Sequence, residues 1–418
     1  MIPAGKRPDY GEAISVRIDA LAALSCEPGK LTRLYLTPSH RRAADLVLQW
    51  MLEAGMTARV DAVGNVIGRY AGAQLEAPAL LLGSHIDTVH DAGKFDGNLG
   101  VVTALAVVAK LHKSGQRLPF AIEVVAFGDE EGVRFASTLG GSRALAGTFN
   151  AAMLDETDVD GQSRRQALIA FGCDPTKIVN EARDSRKILG YVEVHIEQGP
   201  VLEAKDLSLG VVTAINGATR GTVTIAGVSG HAGTVPMSMR RDALAAAAEM
   251  ILAVERIGAG NNDSVATVGR LEIANAGTNT VPGQVSFSLD IRSPVDAQRE
   301  AAASKIEHAV AEIATRRHVT AAVAYTYEAP AAACDRALSA KLGAAIAAQN
   351  LPVLQLPSGA GHDGMAFRDK LPFAMLFVRC RGGISHNPAE FADVADIDAA
   401  ARVLEHFVLA LAQDAKLS

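Results

Sequence analysis

The chain has few cysteines, no basic run and no apolar stretch long enough to cross a membrane. Its four cysteines among 418 residues show no C-x-x-C spacing, so we interpret them as reduced structural thiols. The 40 basic residues are mixed with 46 acidic ones, which disfavours nucleic acid and anionic membranes as partners. The first residues lack the apolar core of a signal peptide, and no later run approaches about 18 apolar residues. These absences predict a cytoplasmic protein with no membrane or nucleic-acid partner.

The order of helix-like and strand-like segments predicts two domains. A chain of 418 residues exceeds what one hydrophobic core usually serves. Segments alternate up to about Thr213, which predicts an α/β domain with a mostly parallel sheet and helices on both faces. After Gly217 the order becomes β-α-β-β-α-β, as in a ferredoxin-like α+β unit, with its second strand expected over residues 265–273. We therefore predict a discontinuous main domain of residues 1–215 and 329–418, with residues 216–328 as an inserted domain.

The first polar cluster follows an apolar run at residues 80–83, which suits a buried strand. His85 and Asp87 then lie on the same side of an extended segment. A metal-bound histidine usually has its second ring nitrogen held by a carboxylate or carbonyl, so His85 suits a ligand and Asp87 its support. Asp96 follows in a glycine-flanked turn before the helical run 99–111. The alternative is a strand, a turn and an Asp that caps a helix.

Three adjacent carboxylates, Asp129, Glu130 and Glu131, follow the strand-like run 120–127. Adjacent carboxylates repel one another unless a cation lies near them. On extended backbone Glu130 and Glu131 point to opposite sides, so one can bind a metal ion while the other faces a bound water. The alternative is a solvated acidic turn, which becomes less favoured once two further histidines are counted.

Five residues have the types and positions of a divided metal site. Each lies where a loop leaves an apolar run, which is where an open α/β sheet collects its catalytic groups. The set is His85, Asp96, Glu131, His195 and His386. It predicts a hydrolase with two divalent metal ions. Zinc or manganese suits these ligands, and cobalt or nickel is also compatible with them.

Eight motifs carry a family resemblance. In order they are GSHIDTV, KFDGNLGV, FGDEEGVRF, GSRALAG, VEVHIEQGPVLE, GHAGTVPM, SGAGHDGMA and GGISHNPAE. Together, from about Arg17 to the C-terminus, they resemble the amidase, hydantoinase and carbamoylase branch of the M20 metallopeptidase family. The resemblance implies that the five residues bind two ions, with Asp96 bridging, and that Glu130 is the general base. It also implies that His195 separates this branch from the peptidase members, which usually carry an acidic residue there.

Four further residues are candidates for holding substrate. By residue type alone, each would be an ordinary surface or loop residue, although the planar guanidinium of an arginine suits a carboxylate. The resemblance implies instead that they bind a substrate carboxylate and the carbonyl under attack, with His231 stabilising the oxyanion. They are Gln198, His231, Asn279 and Arg292. Arg134 and Arg240 lack this support and are predicted to be structural or solvated.

A glycine-rich segment spans residues 359–364. Gly359, Gly361 and Gly364 match the dinucleotide pattern G-x-G-x-x-G, but Pro352 and Pro357 interrupt the preceding run. No βαβ unit begins there, so we reject a dinucleotide site. The exposed amides around Gly361 suit a substrate carboxylate instead, and the alternative is a plain turn.

The resemblance implies hydrolysis of a non-peptide C–N bond in a ureido-carboxylate. Allantoate is the first expectation, because FVRCRGGISHNPAE and TRLYLTP resemble sequences labelled allantoate amidohydrolase. N-carbamoyl-L-amino acid hydrolase and β-ureidopropionase are the alternatives. His195 disfavours an aminoacylase or dipeptidase, and the intact Glu130 disfavours a non-catalytic binding protein. The resemblance also implies a homodimer joined through residues 216–328, a lid and dimerisation domain. Because His231 lies in this insert, far along the chain from the metal ligands, we predict that it completes the opposite subunit's site.

Overall fold

The computed structural model describes residues 10–74, 76–260 and 264–417. The chain divides into two compact units. The first comprises Met1–Thr213, Cys334–Leu356 and Ala360–Ser418, and the second comprises Ala214–Ala333 and Pro357–Gly359. Within the described residues, none of the helices combines the length and apolar character that crossing a membrane requires.

Helices and strands alternate along most of the chain. The first group comprises α1 (Gly11–Ala22), α2 (Pro38–Glu53), β1 (Thr57–Val60), β2 (Val66–Tyr70), β3 (Ala79–His85), α3 (Asn98–Lys113), β4 (Ala121–Phe127), α4 (Gly140–Ala146), α5 (Arg164–Phe171), β5 (Ile188–Ile196), α6 (Val201–Ala204) and β6 (Leu209–Ile215). The second group comprises β7 (Gly217–Ala226), β8 (Gly230–His231), α7 (Ala243–Ala259), β9 (Val265–Thr267), β10 (Leu271–Ile273), β11 (Thr280–Val281), β12 (Gln284–Ser293), α8 (Asp296–Arg316), β13 (Thr320–Ala329), β14 (Ala332–Ala333), α9 (Arg336–Ala348), β15 (Gln355–Ser358), β16 (Phe373–Val378) and α10 (Val394–Leu417).

The sheet of the first unit has the strand order β1-β2-β4-β3-β5-β16-β6. Its central strands β4, β3, β5 and β16 run parallel to one another. Strands β1 and β2 at one end pair antiparallel, as does β6 with β16, and the short strands β14 and β15 pair with β6. The largely parallel central sheet and its helices confirm the predicted α/β class.

The central strands are largely apolar and buried because both faces of the sheet are covered. Every residue of β3, β4 and β16 is buried. Leu80, Leu82, Val124 and Leu376 have no exposed surface and belong to one core cluster. Such largely apolar strands, buried on both faces, are typical of parallel sheets. The polar residues that follow them therefore lie in loops at one edge of the sheet.

The second unit contains an antiparallel sheet with the order β10-β12-β7-β13, in which β9 also pairs with β12. Alternate residues of β12 are buried. Val285, Phe287 and Ile291 share a core cluster with Met250 of α7 and Ile306 of α8. The period of two along β12 therefore reflects one face packed on helices and one polar face.

The strand expected over residues 265–273 forms two short strands instead. The amides of Gly269 and Arg270 donate to Ser288 Oγ at 3.2 and 3.0 Å. These amides are thereby withdrawn from the regular ladder, and β9 and β10 pair separately with β12. The prediction of one continuous strand is wrong because a side chain, rather than a neighbouring backbone, satisfies the two amides.

Candidate metal centre

The candidate site forms where loops leave the carboxyl ends of neighbouring strands. His85 ends β3, and its register partner Phe127 ends β4 directly before residues 129–131. His195, near the end of β5, pairs with Phe377 of β16. Since parallel strands end at the same edge of a sheet, their loops meet there. The apolar strand sequences thus determine where the polar loop residues gather.

Asp96 lies at the centre of the site, near three imidazoles. Its Oδ1 is 3.3 Å from His85 Nε2 and 3.1 Å from His195 Nε2. Its Oδ2 is 3.4 Å from His386 Nε2. Helix α3 is capped by Gly97, at φ 65°, without a side-chain hydrogen bond. The alternative in which Asp96 caps this helix is therefore wrong.

Polar side chains hold the Asp96 loop in place. Gln198 Nε2 donates to Asp96 Oδ2 at 2.7 Å. Ser385 Oγ lies 2.8 Å from Asp96 Oδ2 and 2.9 Å from Glu390 Oε2. Glu390 Oε1 accepts the amides of Phe95 and Asp96 at 2.8 and 3.1 Å. Sequence reasoning assigned no role to Ser385 or Glu390, although both stand in the motif GGISHNPAE.

Two histidines are oriented through their second ring nitrogens. His85 Nδ1 lies 3.0 Å from the main-chain oxygen of Asp87, and His195 Nδ1 lies 2.9 Å from that of Ile196. Because a carbonyl only accepts, each Nδ1 carries the hydrogen and each Nε2 presents its lone pair to the site. Asp87 therefore supports His85 through its carbonyl, since its carboxylate lies 3.8 Å from His85 Nδ1.

Glu130 and Glu131 face different imidazoles. Glu130 Oε2 is 4.0 Å from His85 Nε2, and Glu131 Oε2 is 3.6 Å from His386 Nε2. Their side chains are only 11% and 6% exposed, so the alternative of a solvated acidic turn is wrong. The Asp87 carboxylate accepts the amides of both residues at 3.2 Å.

The clustered charges perturb one another. Burial raises the pKa of Glu130 well above its usual range. Proximity to His85 lowers this pKa, and repulsion from Glu131 raises it further. Burial and repulsion from Asp96 raise the pKa of Glu131 to about 7. A hydrogen bond to Asp96 raises the pKa of His386 to about 9. Carboxylates under mutual repulsion at this density favour the binding of a cation between them.

Three residues at the site adopt the left-handed backbone region without being glycine. Their φ angles are 71° at Asp129, 57° at Gln198 and 53° at His386. This conformation is unfavourable for most side chains and persists where surrounding contacts impose it. At these three positions the polar contacts of the site are therefore expected to hold the backbone in place.

Among the described residues, four groups of three donor atoms could hold a metal ion. Two sets of three donors share the Asp96 carboxylate, and within each set the atoms lie within 4.8 Å of one another. The sets are His85–Asp96–His195 and Asp96–Glu131–His386. Imidazole nitrogen and carboxylate oxygen are suitable ligands for zinc and manganese. The arrangement can therefore hold two ions with one shared carboxylate.

Two of the predicted substrate residues are neighbours in the second unit. The amide of Ala232 donates to the main-chain oxygen of Asn279 at 2.8 Å, where β8 pairs with β11. His231 and Asn279 are both exposed. The amide of Gly233 donates to His231 Nδ1 at 3.1 Å. Since Nδ1 accepts, the neutral ring carries its hydrogen on Nε2, where it can be donated to a ligand.

Arg292 lies in a groove of about 640 Å³ on the polar face of the second sheet. Its Nε and Nη2 donate to the Asp290 carboxylate at 2.8 and 3.0 Å, and its Nη1 donates to the oxygen of Gly359 at 2.7 Å. A guanidinium has five N–H groups. One on each terminal nitrogen therefore remains for an anionic ligand.

Gly361 lies in an exposed turn of the first unit, before a short 3-10 helix at Asp363–Phe367. The neighbouring His362 is buried, and its ring lies 4.4 Å from that of His195. Sequence reasoning assigned no role to His362, and only the packing shows its proximity to His195. Arg134 and Arg240 donate to nearby protein oxygens, which is the structural role expected of them.

Known proteins resemble the chain over nearly its whole length. Allantoate deiminase 1 of Glycine max is 41% identical, covering 93% of this chain and 87% of that protein. The N-carbamoyl-L-amino acid amidohydrolase of Geobacillus stearothermophilus is 40% identical, covering 96% of this chain and 99% of that protein. The crystal structure of an amidase of the hydantoinase/carbamoylase family from Burkholderia multivorans superposes with a TM-score of 0.91 at 35% identity, covering 96% of this chain and 98% of that one. Residues 81–410 match peptidase family M20/M25/M40, and the chain belongs to that family.

Proposed function

We propose that this protein is a metal-dependent amidohydrolase that cleaves a linear, non-peptide C–N bond of a ureido-carboxylate. The observation that carries the proposal is the pair of donor sets sharing Asp96, with the buried carboxyl group of Glu130 beside them. We assign one ion to His85, Asp96 and His195, and the other to Asp96, Glu131 and His386. Zinc or manganese is the proposed metal, because both accept imidazole and carboxylate ligands.

Glu130 is the proposed general base. Bound divalent ions supply the charge that lowers the pKa of water from about 15.7 towards about 7. Glu130 takes a proton from the attacking water and returns it to the leaving nitrogen. Water adds across the C–N bond, which releases the amine and carbamate. Carbamate then decomposes to carbon dioxide and ammonia.

Groups of the second unit are proposed to bind the substrate. The Nε2 hydrogen of His231 suits donation to the oxyanion, a contribution commonly worth about 3 to 4 kcal/mol. The remaining N–H groups of Arg292 suit a carboxylate, with Asn279 as a further donor and acceptor. Gln198 and the amides at Gly361 are proposed to contact substrate in the first unit. Activation of water is thus assigned to the first unit, and residues of both units are assigned to recognition of the ureido-carboxylate.

The second unit is also the proposed lid and dimerisation domain, with a ferredoxin-like fold. Apart from the two-residue strands β8 and β11, which pair with each other, its strand and helix order is β-α-β-β-α-β, with the second strand divided into β9 and β10. The sheet ends in β13 on one side and in the short strands on the other. An exposed edge strand can pair with a second copy of the chain. We propose a homodimer in which His231 completes the site of the partner subunit.

Allantoate is the proposed substrate, since the Glycine max relative is an allantoate deiminase at 41% identity. An N-carbamoyl-L-amino acid is the second candidate. The Geobacillus stearothermophilus relative, an N-carbamoyl-L-amino acid amidohydrolase, favours this candidate, because the alignment covers 99% of its length. Both substrate types combine a ureido group with a carboxylate, so Arg292 suits either one.

Ammonia release distinguishes these substrates. We expect release from allantoate at a higher kcat/KM than from a panel of N-carbamoyl-L-amino acids and N-carbamoyl-β-alanine. An N-acetyl amino acid and a dipeptide serve as controls and are expected to remain intact. Faster release from an N-carbamoyl amino acid would assign the second candidate. Cleavage of the dipeptide alone would contradict the proposed reaction class.

Mixing two inactive variants tests the proposed dimer. Under conditions that exchange subunits, Glu130→Gln and His231→Ala chains in equal amounts should form mixed dimers as half of the population. If His231 acts across the interface, each mixed dimer has one intact site, so about a quarter of wild-type activity returns. If His231 acts within its own chain, every site stays damaged and mixing restores nothing. Each variant mixed with itself is the control.

A further inference from the structure

A buried ion pair lies directly beside the acidic turn. Arg164 is the first residue of α5, and its side chain has no exposed surface. Its Nη1 donates to Asp129 Oδ2, whose side chain is 1% exposed. Its Nη2 donates to the oxygen of Ser137 and to Glu156 Oε2, both at 3.0 Å. The aromatic ring of Phe135 lies 4.6 Å from the guanidinium carbon.

The helix start fixes Arg164 itself. Ser163 and Gln166 form a reciprocal capping box at the N-terminus of α5. The amide of Arg164 donates to the oxygen of Glu156 at 2.8 Å. Both ends of the residue are therefore held, so the guanidinium is a rigid anchor for whatever it binds.

Asp129 connects that anchor to the acidic turn. It precedes Glu130 and Glu131 and adopts a φ of 71°, which its surroundings must impose. Its main-chain oxygen accepts the amide of Leu139 at 2.6 Å. On the other side of the turn, the Asp87 carboxylate accepts the amides of Glu130 and Glu131. The turn is thus held from two directions, by Arg164 through Asp129 and by Asp87 through the backbone.

A contribution to the free energy of unfolding does not by itself explain why the Asp129–Arg164 ion pair is buried this deeply. Removing two charges from water costs several kcal/mol per ion, and apolar replacements of buried pairs are often neutral or stabilising. A buried ion pair can instead fix the position of the segments that carry its two residues, provided that these residues are rigidly held. Here the rigid partner is the residue next to the proposed base and the proposed metal ligand.

We propose that Arg164 is a positioning residue for the hydrolytic step, acting through Asp129 to set the placement of Glu130 and Glu131. This inference rests on the roles proposed for those two glutamates. Arg164 contacts neither of them by a hydrogen bond or ion pair among the described residues. Its loss therefore changes how the carboxylates are presented, while the residues proposed to bind substrate stay intact.

Arg134 offers a matched control in the same segment. Its guanidinium is also largely buried and donates to Asp158 Oδ2 at 3.0 Å, the oxygen of Tyr35 at 2.9 Å and Gln162 Oε1 at 2.7 Å. It does not touch Asp129. Arg134→Met therefore removes a comparable set of bonds without releasing the anchor of the turn.

The test compares kcat, KM, metal affinity and melting temperature in three variants. For Arg164→Met we expect kcat or the affinity for the weaker-bound ion to fall about 10- to 100-fold, with KM unchanged. For Arg134→Met we expect a lower melting temperature with kcat and metal affinity retained. The double variant Asp129→Asn/Arg164→Met removes both charges of the Asp129–Arg164 pair and should regain part of the stability without regaining kcat, since Glu156 still lacks its Arg164 partner.

Several outcomes would overturn the inference. An Arg164→Met protein that melts early but keeps kcat and metal affinity would show a purely structural pair. Recovery of kcat together with stability in the double variant would show that the turn needs no anchor. The metal titration requires no substrate, so it separates failure of this inference from failure of the proposed substrate class.

Gly140→Ala provides a second route if Arg164→Met does not fold. A Cβ at this position would lie 2.6 Å from Asp129 Oδ2 and 2.9 Å from Arg164 Nη1. The added methyl group pushes the pair apart without removing a charge. We expect a reduced kcat with KM retained, and a wild-type kcat would contradict the inference.

Discussion

Replacing Glu130 with Gln is expected to lower kcat by at least about 10²-fold while the protein keeps its metal. The amide has nearly the same shape as the carboxylate but cannot take a proton. Glu130, with its Oε2 4.0 Å from His85 Nε2, lies outside the two donor sets that share Asp96, whereas Glu131 belongs to the set with Asp96 and His386. The loss should therefore appear in the chemical step, as measured by steady-state kinetics beside elemental analysis.

Glu131→Gln is the matched control for this prediction. It changes the adjacent carboxylate by the same substitution, and its expected effect is the loss of an ion. Metal loss in Glu130→Gln, together with metal retention in Glu131→Gln, would mean that the two roles are assigned the wrong way round. A Glu130→Gln protein with wild-type kcat would remove Glu130 from the mechanism.

Replacing Asp96 with Ala is expected to abolish turnover and to remove both ions. Asp96 is the residue that the two donor sets have in common, and it lies within 3.4 Å of all three imidazoles. Without it, each proposed ion keeps only two of its three protein ligands. Metal content per chain, measured after dialysis, gives the direct readout.

His386→Ala separates the two ions. His386 belongs to one donor set only, and its side chain is 51% exposed, so its removal disturbs little of the core. We expect one ion to be lost and the other to remain. Equal metal loss in the two variants would contradict the assignment of Asp96 as the shared ligand.

The sequence predicts the catalytic edge of the sheet well, because strand burial and polar loop residues are local patterns. The apolar runs before His85 and Glu130 identify β3 and β4, whose parallel pairing then brings both loops together. The family motifs add His195 and His386. The sequence left open whether Asp96 caps a helix. The geometry of α3, which begins after Gly97, decides this question.

Other contacts leave no local signal in a single sequence. Arg164 stands in an ordinary polar segment, 35 residues from Asp129, and nothing in that segment indicates a buried ion pair. The support of His85 by a carbonyl depends on the backbone path after β3, which residue types do not specify. The division of the strand at Gly269 likewise depends on the hydroxyl of Ser288 across the sheet.

Reconstitution of the metal-free protein tests the central claim most directly. The protein is stripped with a chelator, and ammonia release from allantoate and from N-carbamoyl-L-amino acids is followed as zinc or manganese is added back. We predict no turnover in the stripped protein and a rise to full activity that levels off at two ions per chain. Full activity in a protein shown by elemental analysis to contain no metal would contradict the account.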